Sequence, residues 1–587
     1  MKRHLLLALV VLAGIVPFSS RAVYMDEHIF LLMARSAHTN FLFPQDTPAL
    51  FFGQTRPSFA GHTHPPVGEY YLALLYSIFG EFREVPFRLL FSVFAIAAVF
   101  GFYALAKRFT ANPLWLSLLF ALSPAFFVYS TTLMMDVPML ACLLVGFALY
   151  FGHVQGRRGF LALSSICFIL AVGIGYTALV PLGCFFAGLL AARRPLNELL
   201  SVVAAPIALT LYLIAMTIHF GAFPPALTLG YLVTQGSVLR NVLALLSFTG
   251  AIGVFPWLVS GRRLPITTSV LAVAMLTLFT SWPSITYRLW FIVLASSGLV
   301  VLITFAGAAR KLIISGKNSG EAFLILWVPA TLLFFVLIGD MISARYILLA
   351  LPALYLVIFR DASERRLIYT MVPTAILSVT LAYADFISVN VNRDWVQGTV
   401  VPLQRQGFRV WSGAESGLRF YLEQKGIQTL SATDISPRPG DLIVRHKLYH
   451  YGLADRVGAL SMTLKTFTLT SAFPVRTYNQ AAGAGFHDSN MGLVPFILSS
   501  AEFDEVEVAE MSPLEAAVWS PEGPIFMQRE AEREFRLKIP SDTKIEYELD
   551  GDGAAAVTTS GIRLIKGPAP RIVWRNLRIV PKQFALQ

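Results

Sequence analysis

The sequence predicts a polytopic α-helical membrane protein of about thirteen transmembrane helices with a C-terminal soluble domain of mixed α/β or β-rich character. Three observations lead there. Of 587 residues, 56% are hydrophobic and 14% charged, whereas an ordinary soluble chain carries about 25% charged residues. The apolar residues gather in runs that cross, or nearly cross, a hydrocarbon core of ~30 Å. Short Lys/Arg clusters separate those runs, and beyond about residue 390 the pattern changes to strand-like alternation broken by Pro and Gly.

The runs lie at about 4 to 20, 88 to 106, 112 to 130, 137 to 154, 160 to 175, 177 to 192 and 198 to 217. Six more follow at about 239 to 258, 264 to 281, 289 to 308, 321 to 338, 345 to 359 and 367 to 386. The first also fits a cleavable signal peptide, but Ser19-Ser20-Arg21-Ala22 only half matches the small-residue cleavage pattern, so an uncleaved span is the preferred reading. If Lys2 and Arg3 are cytoplasmic, alternation puts Lys107/Arg108, Arg157/Arg158, Arg193/Arg194, Arg262/Arg263, Arg310/Lys311 and Arg365/Arg366 on that side too. An odd number of spans then places the loop 21 to 87 and everything after about 387 outside the cytoplasm.

Within that loop, Ile29 to Ala37 and Gly68 to Phe79 show apolar residues at helical spacing and are expected as interfacial helices. The chain divides into a membrane domain, 1–390, and an extracytoplasmic soluble domain, 391–587. Strands are expected at Phe408 to Trp411, Asp441 to Val444, Lys544 to Leu549 and Arg571 to Trp574, and a helix near Ser416 to Lys425. Asp550-Gly551-Asp552-Gly553 lacks EF-hand spacing and reads as a hairpin turn between strands.

Several functions are excluded at this level. The net charge of +11 is spread over short clusters rather than one basic face, so nucleic acid is not a predicted partner. Cys142, Cys167 and Cys184 all lie inside apolar runs and offer neither a disulfide framework nor a CxxC metal site. No P-loop or GxGxxG follows a strand.

The outward-facing polar residues carry the chemistry. Asp26-Glu27 stands just past the first span, where ionisable groups are costly unless solvated or paired; an interfacial acidic pair without chemical duty is the competing reading. Asp136, directly before Val137-Pro138, is a second acid at the outer surface and equally a helix-start residue. His62 and His64, in Gly61-His62-Thr63-His64-Pro65-Pro66, could meet a phosphate or a metal, or be plain solvated residues. Arg345, in Ala344-Arg345-Tyr346, suits bidentate bonds to phosphate, or anchoring beside Tyr346. A carboxylate that takes the proton of an attacking hydroxyl, with cations facing a departing lipid phosphate, suits sugar transfer from a polyprenyl phosphate. Trp411, Leu448-Tyr449-His450-Tyr451 and Phe486-His487 could stack on sugars but read first as core residues.

Here the sequence resembles the GT-C glycosyltransferases of the protein O-mannosyltransferase and lipid A aminoarabinose transferase type, over about residues 1 to 390. The resemblance rests on Asp26-Glu27, His64-Pro65-Pro66, Pro86-Phe87-Arg88-Leu89, Ser123-Pro124 leading to Asp136-Val137-Pro138, and Ala344-Arg345-Tyr346 with Leu351-Pro352. It implies Asp26 as catalytic base, Asp136 supporting the acceptor or donor site, and Arg345 near the donor phosphate, with Glu27, His64 and Tyr346 toward substrate. The chain departs from the pattern at His64 and Tyr176, where relatives carry lysines.

The expected partners are a polyprenyl-phosphate sugar donor, a lipid, glycan or protein acceptor, and membrane lipids. The expected compartment is a bacterial inner membrane. No cofactor is assigned with certainty; Glu27, His62 and His64 allow a divalent metal without establishing one. A lipid flippase would place ionisable residues near the midplane of the spans, and an envelope scaffold would leave the acidic loops without a role.

Overall fold

The computed structural model describes residues 2–511 apart from 52, 62–63, 225–236, 253–262, 316–320, 439 and most of 448–460, and beyond 511 only short strands between 518 and 580. Each of the predicted apolar runs carries a helix: Lys2–Ile15 (α1), Glu84–Phe109 (α4), Pro113–Ala121 (α5) with Pro124–Ser130 (α6), Asp136–Val154 (α7), Phe160–Ile174 (α8), Leu179–Ala191 (α9) and Leu196–Phe220 (α10) in the first half. Val238–Ile252 (α11), Arg263–Leu276 (α12), Ile285–Ile314 (α13), Ala322–Ile338 (α14), Ala344–Ile358 (α15) and Glu364–Trp395 (α16) follow. The expected interfacial helices form at Glu27–Ser36 (α2) and Val67–Phe79 (α3). Among the described residues five helices are long and apolar enough to cross a membrane, or six if α5 and α6 count as one span, and the others are shorter.

The third run, expected as one span, is broken. α5 and α6 meet at 60°, because Ser123 is extended (ψ 140°) and Pro124 at the start of α6 has no N–H to continue the ladder. Helix faces confirm the solvent. Ile207, Leu211, Ile214 and Ile218 on α10 are all exposed, as are Val372, Ile376, Val379 and Tyr383 on α16. That spacing makes one continuous apolar stripe on each helix, which water would penalise and lipid would not. This is a multi-pass membrane protein.

Contacts divide the chain into two compact units. The first takes residues 1–49, 57–390 and also 471–501. The returning segment 471–501 pairs with itself through two-residue strands, Val475–Arg476 with Ile497–Leu498 and Tyr478–Asn479 with Ala484–Gly485. It is fastened to α13, where Trp290 Nε1 donates to the Phe496 carbonyl at 2.7 Å and Tyr287 Oη donates to that of Gly483 at 2.9 Å.

The second unit takes residues 50–56, 391–470 and 502–587. Its main sheet has the order Val410–Ser412, Leu442–His446, Asp504–Met511 and Ser461–Leu469, the first pair parallel and the rest antiparallel. Trp411, Leu430, Ile443, Val457 and Met511 form its core, so Trp411 packs rather than stacking on sugar. The expected helix is Ser416–Gln424.

Lys544–Glu548 is a strand as expected, but it pairs with Arg575–Val580. The next strand, Ala554–Thr558, pairs instead with Gly561–Ile565. Asp550–Gly553, Arg571–Trp574 and Leu448–Tyr451 lie outside the described residues.

Candidate active site

Asp26 opens α2, and the chain reaches it through Met25, whose φ of 51° is left-handed. That conformation is uncommon for a residue with a Cβ, and such strain gathers at sites where the next side chain must be aimed. Asp26 Oδ2 lies 3.1 Å from Arg345 Nη1. Arg345 is the second residue of α15, whose start is capped by Ser343, extended at φ −133°, with its Oγ accepting the Arg345 backbone N–H. The guanidinium also stands over the Tyr346 ring at 5.4 Å. Its Nε is buried with no hydrogen-bond partner among the described residues.

Arg345 and Tyr346 line a cavity of about 210 Å³ together with His64, Asp136 and Asp340. Apolar side chains including Phe30, Met135, Phe334 and Phe335 complete its wall. Asp136 is the first residue of α7 and interacts electrostatically with both Asp26 and Arg345. The Tyr346 ring lies flat on Phe335 at 4.0 Å. The His64 ring stacks on Tyr176 at 5.8 Å, so the two positions that depart from the family pattern are neighbours. Gln45 donates to the His64 carbonyl at 2.9 Å and fixes that turn.

One predicted residue is turned away from this cavity. Glu27 turns inward. Its side chain is 1% exposed and accepts from Arg21, from both Arg88 terminal nitrogens at 3.1 and 3.0 Å, and from the Leu133 and Tyr24 backbone N–H groups. Burial alone would raise its pKa, but the Arg88 and Arg21 guanidiniums hold the carboxyl below the ordinary carboxylate value. In this structure Glu27 braces the fold instead of facing substrate. His62 lies outside the described residues. Among the described residues no three His, Cys, Asp or Glu side chains converge as metal ligands.

Sequence reasoning missed Asp340, in the turn between α14 and α15, and the buried Arg21 and Asp385, while it quoted Arg88 only within a motif of the resemblance and His487 only beside Phe486 as a stacking or core residue. The available signal was charge placed within or beside apolar runs, which calls for a partner.

Residues 63–220 match the family model described as dolichyl-phosphate-mannose-protein mannosyltransferase. The chain resembles that family over this stretch. It includes His64, Asp136 and Tyr176, while Asp26 and Arg345 lie outside it. No curated protein matches the chain. Among solved structures, that of ArnT from Cupriavidus metallidurans bound to undecaprenyl phosphate is 13% identical with a TM-score of 0.42, covering 86% of this chain and 97% of that one. The oligosaccharyltransferase AglB from Archaeoglobus fulgidus, in complex with an inhibitory peptide and a dolichol-phosphate, is 11% identical with a TM-score of 0.38, covering 76% of this chain and 69% of that one.

Proposed function

We propose that the protein is an inverting membrane glycosyltransferase that moves a sugar from a polyprenyl-phosphate-linked donor to a lipid, glycan or protein acceptor. Transfer takes place at the periplasmic face of a bacterial inner membrane, on the side that carries domain 391–587. The observation that carries this reading is the Asp26–Arg345 pair, 3.1 Å apart, with Arg345 lining a cavity that Asp136 and His64 also line.

In the reaction the acceptor hydroxyl oxygen bonds to the anomeric carbon from the face opposite the phosphate. The anomeric C–O bond to phosphate breaks, and its electron pair leaves on the phosphate oxygen. The acceptor proton passes to the Asp26 carboxylate. Arg345 offsets the charge that gathers on the leaving phosphate, and its buried, unsatisfied Nε supports that role. Asp136 and Tyr346 orient acceptor or sugar from the cavity wall, and His64, which lines the same cavity, is assigned to a phosphate oxygen. No nucleotide-binding fold is needed, because the lipid anchors the donor.

The test is transfer of labelled sugar from a panel of synthetic polyprenyl-phosphate monosaccharides by protein in nanodiscs, with membrane extract as acceptor. Transfer by the wild type that disappears in Asp26→Asn is the expected result and identifies the donor. Wild-type protein that transfers from no donor overturns the reading and favours lipid transport or an envelope scaffold. Undiminished transfer by Asp26→Asn removes Asp26 as the base.

A further inference from the structure

We infer that the returning segment 471–501 belongs to the active site, and that His487 is a positioning residue which holds the Arg345 helix start in place through Tyr129 and Ser343. Arg345's duty toward a lipid phosphate rests on the function proposed above; the positioning itself does not.

Two sets of bonds carry the inference. The first is a side-chain relay. His487 Nε2 is 2.7 Å from Asp385 Oδ1, and its Nδ1 is 2.9 Å from Tyr129 Oη. Tyr129 Oη is 3.1 Å from Ser343 Oγ, which caps Arg345 N. Asp385 Oδ2 is held in turn by Arg21 Nε at 2.7 Å.

A carboxylate only accepts, so Nε2 carries the hydrogen and donates to Asp385. Nδ1 shares the next hydrogen bond with Tyr129 Oη, Tyr129 Oη shares one with Ser343 Oγ, and Ser343 Oγ accepts the Arg345 N–H. All four residues are buried, so any member left unmatched costs the desolvation of its polar atom. The relay is therefore unbroken from Asp385 to the helix that presents Arg345.

The second set is a backbone clamp on the same turn. Ala344 N donates to the Phe486 carbonyl at 3.0 Å, and Ser489 N donates to that of Ile342 at 2.9 Å. Ser489 Oγ accepts from Ile342 N at 2.9 Å. Residues 342–344 are thus gripped immediately before Arg345 by a stretch that lies more than a hundred residues further along the chain. Arg240 of α11 fastens the clamp from behind, donating to Asn490 Oδ1 and to the Ser489 carbonyl, both at 2.7 Å. Fixing a catalytic cation from two independent directions is what precise placement of the leaving group demands.

The test uses full-length protein in nanodiscs, wild type against His487→Ala and against Tyr129→Phe, which removes only the bridging hydroxyl. Amide exchange over residues 342–348 is read by mass spectrometry, with α7 as internal control, and undecaprenyl phosphate binding is titrated on the same samples. Faster exchange at 342–348 with unchanged α7, and at least tenfold weaker binding that Arg345→Ala makes no worse, is expected. Unchanged exchange at 342–348 in Tyr129→Phe overturns the positioning role, and that variant decides if His487→Ala does not fold. Faster exchange with wild-type binding in the variants, or losses that simply add to those of Arg345→Ala, overturns the link to Arg345. Faster exchange in a protein whose wild type binds no polyprenyl phosphate upholds the positioning and overturns the proposed function instead.

Discussion

Asp26 Oδ2 lies 3.1 Å from Arg345 Nη1 although 319 residues separate the two in the chain. The pair joins the first interfacial helix to the start of α15, and the side chains are 34% and 15% exposed, accessible but not solvated. In such a setting a charged pair is held together by a direct, partly shielded hydrogen bond. On the function proposed above, a lipid phosphate arriving at the guanidinium would compete with Asp26 for Arg345.

Asp26→Asn is expected to lower kcat by about 10²- to 10⁴-fold with donor KM little changed, the signature of a lost general base. Arg345→Lys keeps the charge but loses the planar fork, so donor KM should rise as well as kcat fall. Steady-state kinetics with the identified donor separate the two. A variant pair in which Asp26→Asn moves only KM would place Asp26 in binding rather than proton transfer.

Glu27→Gln is expected to act on folding, not turnover. Removing the charge leaves Arg88 buried without its acid, at a cost of roughly 3–5 kcal/mol for breaking a buried pair. Because the Glu27 pKa is lowered in the fold from 4.5, its contribution is present above that value and lost as pH falls below it. Thermal unfolding of wild type and variant in one detergent at pH 7 checks this. A variant as stable as wild type but unable to bind donor would return Glu27 to the substrate.

How much of this was legible depended on the range of the interaction. Hydrophobic runs are local, and each of them carries a helix; Asp136, His64, Arg345 and Tyr346 sit at helix starts or turns, and the cavity gathers them. The break at Ser123-Pro124 was also local, written in a proline that lies within an otherwise continuous apolar run. Asp385 and His487 were not legible in this way. Their partners lie 364 and 358 residues away at Arg21 and Tyr129, and no periodicity encodes a bond of that length. The charge of Asp385 inside the last apolar run demanded a partner without naming it. Glu27 failed for the opposite reason: adjacency to Asp26 suggested a shared duty, while one step along the backbone turned its side chain into the interior.

The sheet of the second unit should lose stability as pH rises. His446 Nδ1 lies 2.7 Å from Asp504 Oδ2, both side chains buried. Burial opposes the imidazolium, but the Asp504 carboxylate and the Glu415 carbonyl outweigh it and raise the His446 pKa above 6.5. A raised folded-state pKa gives stability that is full below 6.5 and fades as pH climbs through the folded value. Tryptophan fluorescence of Trp411 across pH 6 to 9, compared with His446→Gln, reads the effect. An equal response in the variant would assign the pH dependence elsewhere.

Gly298→Ala should separate two helices. A Cβ at Gly298 would stand 1.9 Å from the Leu246 carbonyl oxygen, and one at Gly250 would stand 2.0 Å from that of Leu294. The obstacles are backbone atoms, which cannot rotate aside as a side chain would, so α11 and α13 must move apart. Small residues allow this approach in a bilayer, where close van der Waals packing replaces the hydrophobic effect as the force between helices. Overpacking costs about 1–3 kcal/mol where side chains can adjust, and backbone contacts put Gly298→Ala at or above that range. Arg240 and Tyr287 reach the clamp segment from these two helices, so the same variant should speed amide exchange over residues 483–493 along with lowering the melting temperature. A melting temperature within the error of wild type would show that the helices repack without cost.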